Sequence, residues 1–287
     1  MTIQWFPGHM AKARREIEQN LKHVDLVIEL VDARVPQSSQ NPMLQEIIKN
    51  KPKLLVLMKK DLADITKTSH WLTYFENQTT EAIGVDVNDP ADIQLLIQKV
   101  EQLGRQTIER QRQRGIQDRP IRALVLGIPN VGKSTLINRL ANRKIAKIGD
   151  RPGITRHQQW IKVRKQFELL DTPGILWPKF DDEHVGIRLA AIGTIKDTLI
   201  SLQDIAAFVL QFLQNHYPQS LINRYNLNMK EIPDMWDVFE HIGKLRGALE
   251  SGGQVNFDKV AEIILRDLRT GKLGRVTLET CEQGQDD

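Results

Sequence analysis

Ile121-Arg122-Ala123-Leu124-Val125-Leu126-Gly127-Ile128-Pro129-Asn130-Val131-Gly132-Lys133-Ser134 runs on into Thr135-Leu136-Ile137-Asn138-Arg139-Leu140. The first six residues read as a buried strand and the last six as a helix. The glycine-bounded segment between them therefore opens a phosphate-binding loop in the context such a loop requires. Gly127 and Gly132 let the backbone curl with its amides facing phosphate oxygens, and the helix N-terminus adds a favourable field for an anion. Lys133 is placed to reach the β and γ phosphates and Ser134 to hold Mg²⁺, with Asn130, Val131, Gly132 and Thr135 completing the nucleotide-contacting set. The strand and helix on either side disfavour a chance match to a short pattern.

Downstream, Phe167-Glu168-Leu169-Leu170-Asp171-Thr172-Pro173-Gly174 reads as a strand ending in an Asp-x-x-Gly turn. A carboxylate at Asp171 can hold Mg²⁺ through water, and the Gly174 amide can face the γ phosphate. Between the two elements, Arg151-Pro152-Gly153-Ile154-Thr155 offers a hydroxyl at Thr155 in a polar stretch, which suits a switch closing on Mg²⁺ and γ phosphate. Taken singly, Asp171 could begin an ordinary turn and Thr155 could cap the next strand. The order and spacing together favour an NTPase switch.

No base-reading element follows Gly174; it lies upstream. Lys53-Leu54-Leu55-Val56-Leu57-Met58 is an apolar strand delivering Lys59-Lys60-Asp61-Leu62. A carboxylate at Asp61 accepts from guanine N1–H and the exocyclic amine, an edge adenine lacks, so it selects GTP over ATP. Lys59 can lay its aliphatic stem along the base. Met58 stands where an Asn would supply an amide, and a thioether cannot make that amide's hydrogen bonds. Guanine specificity with weakened affinity is the expectation.

Base recognition ahead of the phosphate loop resembles the circularly permuted GTPases, and more narrowly the YlqF/RbgA family of ribosome biogenesis GTPases. The resemblance rests on Trp5-Phe6-Pro7-Gly8-His9-Met10, Val31-Asp32-Ala33-Arg34-Val35-Pro36, Lys59-Lys60-Asp61-Leu62, the phosphate loop, Asp171-Thr172-Pro173-Gly174 and Gly271-Lys272-Leu273-Gly274-Arg275. The chain departs from the family pattern at Met58 and at Gln40, where Asn and more often Arg are found. The resemblance implies an α/β, circularly permuted P-loop GTPase domain, with a central mostly parallel sheet and flanking helices, over residues 1–178. A small all-helical C-terminal domain over 179–287 would follow. It implies GTP hydrolysis with Mg²⁺, and with K⁺ coordinated at Asn130. Its partners would be the large ribosomal subunit precursor and its rRNA. Its catalytic candidate is His9, whose imidazole can orient or accept a proton near neutral pH; a role in RNA contact or helix capping stands beside that. Many GTPases place a Gln directly after the Asp-x-x-Gly glycine to orient water, whereas Ile175 occupies that position here, so a low intrinsic rate is expected. Catalysis is thus assigned to His9, Lys133 and Thr155, nucleotide binding to Lys59, Lys60, Asp61, Asn130, Val131, Gly132, Lys133, Ser134, Thr135 and Gly174, and metal binding to Ser134, Thr155 and Asp171.

Composition sets the outer bounds. The 287 residues, 40% hydrophobic and 26% charged, can bury one medium and one small domain. A lone Cys281 excludes an internal disulfide, and no apolar stretch approaches the roughly 18 residues needed to cross a bilayer. A cytoplasmic monomer with no membrane partner is expected. The net charge of +4 is unevenly spread, with basic residues in excess before residue 182 and acids in excess after it. Arg139, Arg143, Lys144, Lys147, Arg151, Arg156, Lys162, Arg164 and Lys165 face the single acid Asp150 between 139 and 165, a concentration suited to an RNA backbone. A solvated surface is the plainer reading of it. After Leu176 the pattern is helical over Val185–Ala191, Leu202–His216, Met235–Ala248 and Val255–Leu268, punctuated by Pro218, Pro233 and Gly252-Gly253. Arg266, Arg269, Lys272 and Arg275 offer a second RNA contact there. Two other readings compete: a P-loop ATPase or nucleotide kinase, disfavoured by Asp61, and an RNA-binding scaffold with a degenerate nucleotide site, to which Met58 lends weight.

Overall fold

The computed structural model describes residues 7–48, 51–113, 115, 119–143, 159–163, 167–172, 174, 176, 182–195, 200–227 and 234–281, with the backbone alone over 7–13, at 110 and 111, and at 159. The chain forms two compact units, one of Thr2–Phe180 with Glu279–Asp287 and one of Asp181–Leu278. The division expected after residue 178 falls among residues 177–181, outside the described residues. Beyond Leu278 the chain groups with the first unit, not the second.

In the first unit the elements run α1 (Pro7–Leu21), β1 (Leu26–Asp32), α2 (Pro42–Ile48), β2 (Lys53–Met58), a single tight turn Lys60–Leu62, α3 (Ile65–Phe75), β3 (Thr80–Val85), α4 (Pro90–Arg112), β4 (Ile121–Gly127), α5 (Lys133–Ala141), β5 (Gln159–Val163) and β6 (Phe167–Asp171). They build one six-stranded sheet in the order β3-β2-β1-β4-β6-β5. Every pairing is parallel except that of β5 with β6. A parallel sheet is covered on both faces, which is why β1 is apolar at almost every position and buried throughout. Val27 and Val31 of β1, Leu55 and Leu57 of β2 and Leu124 and Leu126 of β4 share one face. They pack with Ile17 and Leu21 of α1, Leu44 and Ile48 of α2, and Trp71 and Phe75 of α3. The other face carries α4 so closely that a Cβ on Gly104 would lie 2.5 Å from Ile121 Cγ2. That distance leaves glycine as the residue the packing admits.

Parallel strands bring their carboxyl ends to one edge. The order reverses at β1 and β4, and ligands of open α/β sheets sit in the crevice outside such a reversal. The turns after β1, β2, β4 and β6 all open there, so strand order, not chain order, assembles the site. The expected permuted, mostly parallel fold is the one observed.

The second unit contains α6 (Glu183–Ala191), α7 (Leu202–His216), α8 (Pro218–Tyr225), α9 (Met235–Arg246) and α10 (Phe257–Arg269). α10 is its centre, burying Val260, Ala261, Ile264, Leu265 and Leu268 and packing against α6, α7 and α9. Asp267, also buried, accepts from Arg224 Nε at 2.7 Å and Tyr225 Oη at 3.2 Å, anchoring the end of α8. Arg269 is not a free basic spot. It donates through Nε to Ala191 O at 3.0 Å and through Nη2 to Ala190 O at 2.7 Å, satisfying the last carbonyls of α6. Arg266, Lys272 and Arg275 are exposed.

Candidate nucleotide site

The phosphate loop follows β4 as expected. Asn130 (φ 60°) and Gly132 (φ 106°) adopt left-handed conformations, so successive amides turn toward one concavity before Lys133 opens α5. The first-turn amides of that helix have no partners within it and face the same way. Val131 is buried, which leaves its backbone to meet a ligand, while Ser134 and Thr135 are half-buried in the first turn. Lys133, 7% exposed, pairs with Asp171 at the end of β6. Burial pushes its ammonium below the ordinary lysine pKa, against the pull of Asp171. The second carboxylate oxygen of Asp171, Oδ2, is buried with no hydrogen-bond partner. An orphan of that kind is costly unless something else meets it.

The turn after β6 is fastened to β4 and lies against the loop. Thr172 is fully buried and donates its hydroxyl to Val125 O at 2.7 Å. Gly174 lies so near the loop that a Cβ there would sit 3.0 Å from both N and Cα of Pro129. Only a residue without a side chain brings this backbone into that position.

The base-reading turn is fastened to the same loop from the other side. Lys59 leaves β2 in a left-handed conformation (φ 60°), and its Nζ donates to Asn130 O at 3.0 Å and pairs with Asp32 Oδ2 at 3.0 Å. Its stem therefore spans from the base turn to the phosphate loop. Lys60 Nζ pairs instead with Asp92 at 2.5 Å, and Asp92 also accepts from Asp86 N at 2.8 Å. The start of α4 thus ties the base turn to the loop after β3. Asp61 sits half-buried in the turn, and its charge helps to raise the pKa of Arg34. Met58 is buried, and its Cε lies 3.2 Å from where a Cβ on Gly132 would be, so the thioether packs toward the phosphate loop where an amide would have bonded.

Beneath these turns lies a charge cluster for which the sequence alone assigns no role. Arg34 is 2% exposed and grips Asp32 with Nε on Oδ1 at 2.9 Å and Nη2 on Oδ2 at 2.8 Å. Burial opposes ionisation of Asp32, but Arg34 and Lys59 together hold its carboxyl well below the usual carboxylate range. The signal was present as an Asp-x-Arg directly after a wholly apolar strand, a place where charges persist only when paired. The structure thus brings together Lys59, Asp61, Asn130, Val131, Gly132, Lys133, Ser134, Thr135, Asp171 and Gly174. Lys60 shares the turn, with its amine turned to Asp92. Thr155 lies outside the described residues, and of His9 only the backbone, in α1, is described.

Such an arrangement can take a nucleoside polyphosphate with a base in the β2 turn and phosphates at α5. Comparison with known proteins agrees. Residues 122–236 match the family model described as 50S ribosome-binding GTPase. The Ribosome biogenesis GTPase A of Priestia megaterium is 54% identical over 287 residues, 99% of this chain and 99% of that protein. That of Bacillus cereus is 54% identical over 284 residues, covering 99% of this chain and 95% of that protein. The crystal structure of GNP-bound YlqF from T. maritima superposes with a TM-score of 0.67 at 25% identity, over 95% of this chain and 100% of that one. With identity of this order along the whole length, and the permuted order of site elements seen in the fold, the chain belongs to the ribosome biogenesis GTPase A family.

Proposed function

We propose that the chain is a GTP-hydrolysing assembly factor for the large ribosomal subunit, docking on precursor rRNA in its GTP form and leaving on hydrolysis. The observation that carries this reading is the bridge of Lys59 between Asp32 and Asn130, which holds a guanine-selecting turn against a phosphate loop. The names of its relatives supply the ribosomal setting.

Asp61 reads the guanine edge and excludes adenine. Lys133 exchanges Asp171 for the β and γ phosphates, since polyanionic oxygens offer its ammonium a stronger partner than one carboxylate. Asp171 Oδ2, buried without a partner, and the hydroxyl of Ser134 fit a hydrated Mg²⁺. The ion would neutralise charge that develops on the phosphates. As the family resemblance implies, Thr155 would complete that metal's ligands, Asn130 would support K⁺, and His9 would orient the attacking water in place of the aliphatic Ile175. Arg139, Arg143 and Lys162 are exposed near the loop and on β5, and belong to the basic surface that meets rRNA. The ribosomal setting named by its relatives suits a cytoplasmic protein, which we take to act as a monomer; among the described residues no helix is long and apolar enough to cross a membrane.

Titration with GTP, GDP and ATP, followed by turnover of Lys133→Ala, tests the reading. Tight guanine nucleotide binding, weak ATP binding and loss of hydrolysis in the variant are expected. ATP bound as tightly as GTP would overturn the base assignment, and undiminished turnover in the variant would overturn the role of Lys133.

A further inference from the structure

The end of the chain returns to the first unit and is held there by an acid. Glu279 is 4% exposed. Its Oε2 accepts from Gln37 N at 2.7 Å, and its Oε1 accepts from Ser38 N at 2.9 Å and from the Ser38 hydroxyl. Two successive amides and a hydroxyl make an anion nest, which the chain fills with its own carboxylate from more than 240 residues away. Two residues further, Cys281 packs against the cluster containing Trp71 and Phe75 of α3. The tail thus touches both segments that flank the base turn: the loop after β1 and the helix after β2.

The loop that holds Glu279 also carries the charge cluster. Ser39 Oγ accepts from Asp32 N at 2.9 Å and donates to Val35 O at 2.7 Å. Asp32 in turn holds Arg34 and Lys59, and Lys59 holds Asn130 O. Four links join the tail to the phosphate loop, and the base turn lies along the way.

We propose that Glu279 is a positioning residue for guanine recognition. By filling the Gln37–Ser38 nest it fixes the loop that orients Asp32 and Arg34, and through Lys59 the turn bearing Asp61. This rests on the reading of Asp61 as the guanine acceptor. A carboxylate in a nest makes charge-assisted bonds that an amide of the same shape cannot replace, because the amide carries one acceptor and presents donors to donors. Loss of the charge therefore loosens the nest while the fold is retained.

The test uses the full chain as Glu279→Gln, Ser38→Ala and Asp61→Asn, with Tm recorded for each. Steady-state hydrolysis is measured with GTP and XTP, and binding with GDP. For Glu279→Gln the KM for GTP and the Kd for GDP are expected to rise together by about tenfold, the scale of one lost bond to a charged group, with kcat little changed. Ser38→Ala should move KM the same way by a smaller factor. Asp61→Asn should transfer preference from GTP to XTP. If Asp61→Asn keeps the GTP preference, the base reading itself fails. If it switches while Glu279→Gln keeps the wild-type KM, the base reading survives and the positioning role is overturned. A fall in kcat and Tm at unchanged KM in Glu279→Gln and Ser38→Ala would also overturn it, marking the tail as scaffold. Should Glu279→Gln not fold, the KM of Ser38→Ala decides alone: a rise supports the role and no change rejects it.

Discussion

Asp32, with no exposed surface, owes its charge to two cations. Because Arg34 and Lys59 outweigh the cost of burial, the folded pKa lies below the unfolded value of about 3.9. The pair's contribution is therefore present above roughly pH 4 and is lost as pH falls below it toward the folded pKa. Arg34→Ala leaves that carboxylate with Lys59 alone and should cost about 3 kcal/mol near neutral pH. Urea unfolding followed against pH should show the difference between variant and wild type shrinking as Asp32 protonates, and a constant difference down to strongly acid pH would refute it. Arg34→Lys should not restore stability, since a point charge cannot make the two-pronged grip. At Met58, buried toward Gly132, an Asn would regain a polar link to the phosphate loop and lose apolar packing. Met58→Asn should tighten GDP by about 1 kcal/mol while lowering Tm, and a weaker Kd for GDP would show that the amide finds no partner there. Residues that meet phosphate or base were legible because their chemistry is written locally, in a glycine-rich loop or an acid after an apolar strand. Glu279 was not, since nothing near it in the chain announces a nest formed by Gln37 and Ser38.

Elements of strong period were legible and short ones were not. α4 spans the residues its spacing marks, and β1, β2 and β4 declare themselves by runs of Val, Leu and Ile that a doubly covered sheet requires. α2 and α8, of 7 and 8 residues, offer two turns of pattern at most, too little for periodicity to register. Pro218 does stand between two helices, as its place in the sequence implies, and it also opens α8, where its missing amide costs nothing. The α9 helix stops at Arg246, two residues short of its expected end, because Gly247 turns left-handed (φ 66°). The junction of β6 with the phosphate loop could not be foreseen at all, being a contact between backbones. Gly174→Ala forces a methyl to within 3.0 Å of Pro129 and must displace one of the two segments. Its cost should appear in the GTP form, where the Gly174 amide is needed, more than in the GDP form. The ratio of GTP-analogue to GDP affinity should fall about tenfold, and an unchanged ratio would release this turn from its assigned part.

At the scale of the whole molecule, the helical unit is an insertion: the chain leaves the GTPase unit near 180 and re-enters it at Glu279. Deleting residues 179–287 is the direct way to ask whether the helical unit carries a response to ribosomal particles while nucleotide binding is spared. With Glu279 in the nest below the base turn, that deletion also removes a positioning group, so it confounds the two effects. Surface charge gives a cleaner separation. Arg266, Lys272 and Arg275 are exposed on α10 and the loop after it, whereas Arg269 spends its guanidinium on the carbonyls of Ala190 and Ala191. Exposed cations that neutralise RNA phosphates release counterions, and each one removed lowers the salt slope of binding by roughly 0.7 to 0.9. Replacing Arg266, Lys272 and Arg275 together by Ala should therefore weaken binding to large-subunit particles and flatten its dependence on salt by about 2. The KM for GTP in the absence of particles should not move, because these residues stand outside the GTPase unit. Arg269→Ala should behave differently, lowering the Tm of the helical unit through two unsatisfied carbonyls. If the triple variant keeps its particle affinity and salt slope, the helical unit meets the ribosome by another face or not at all.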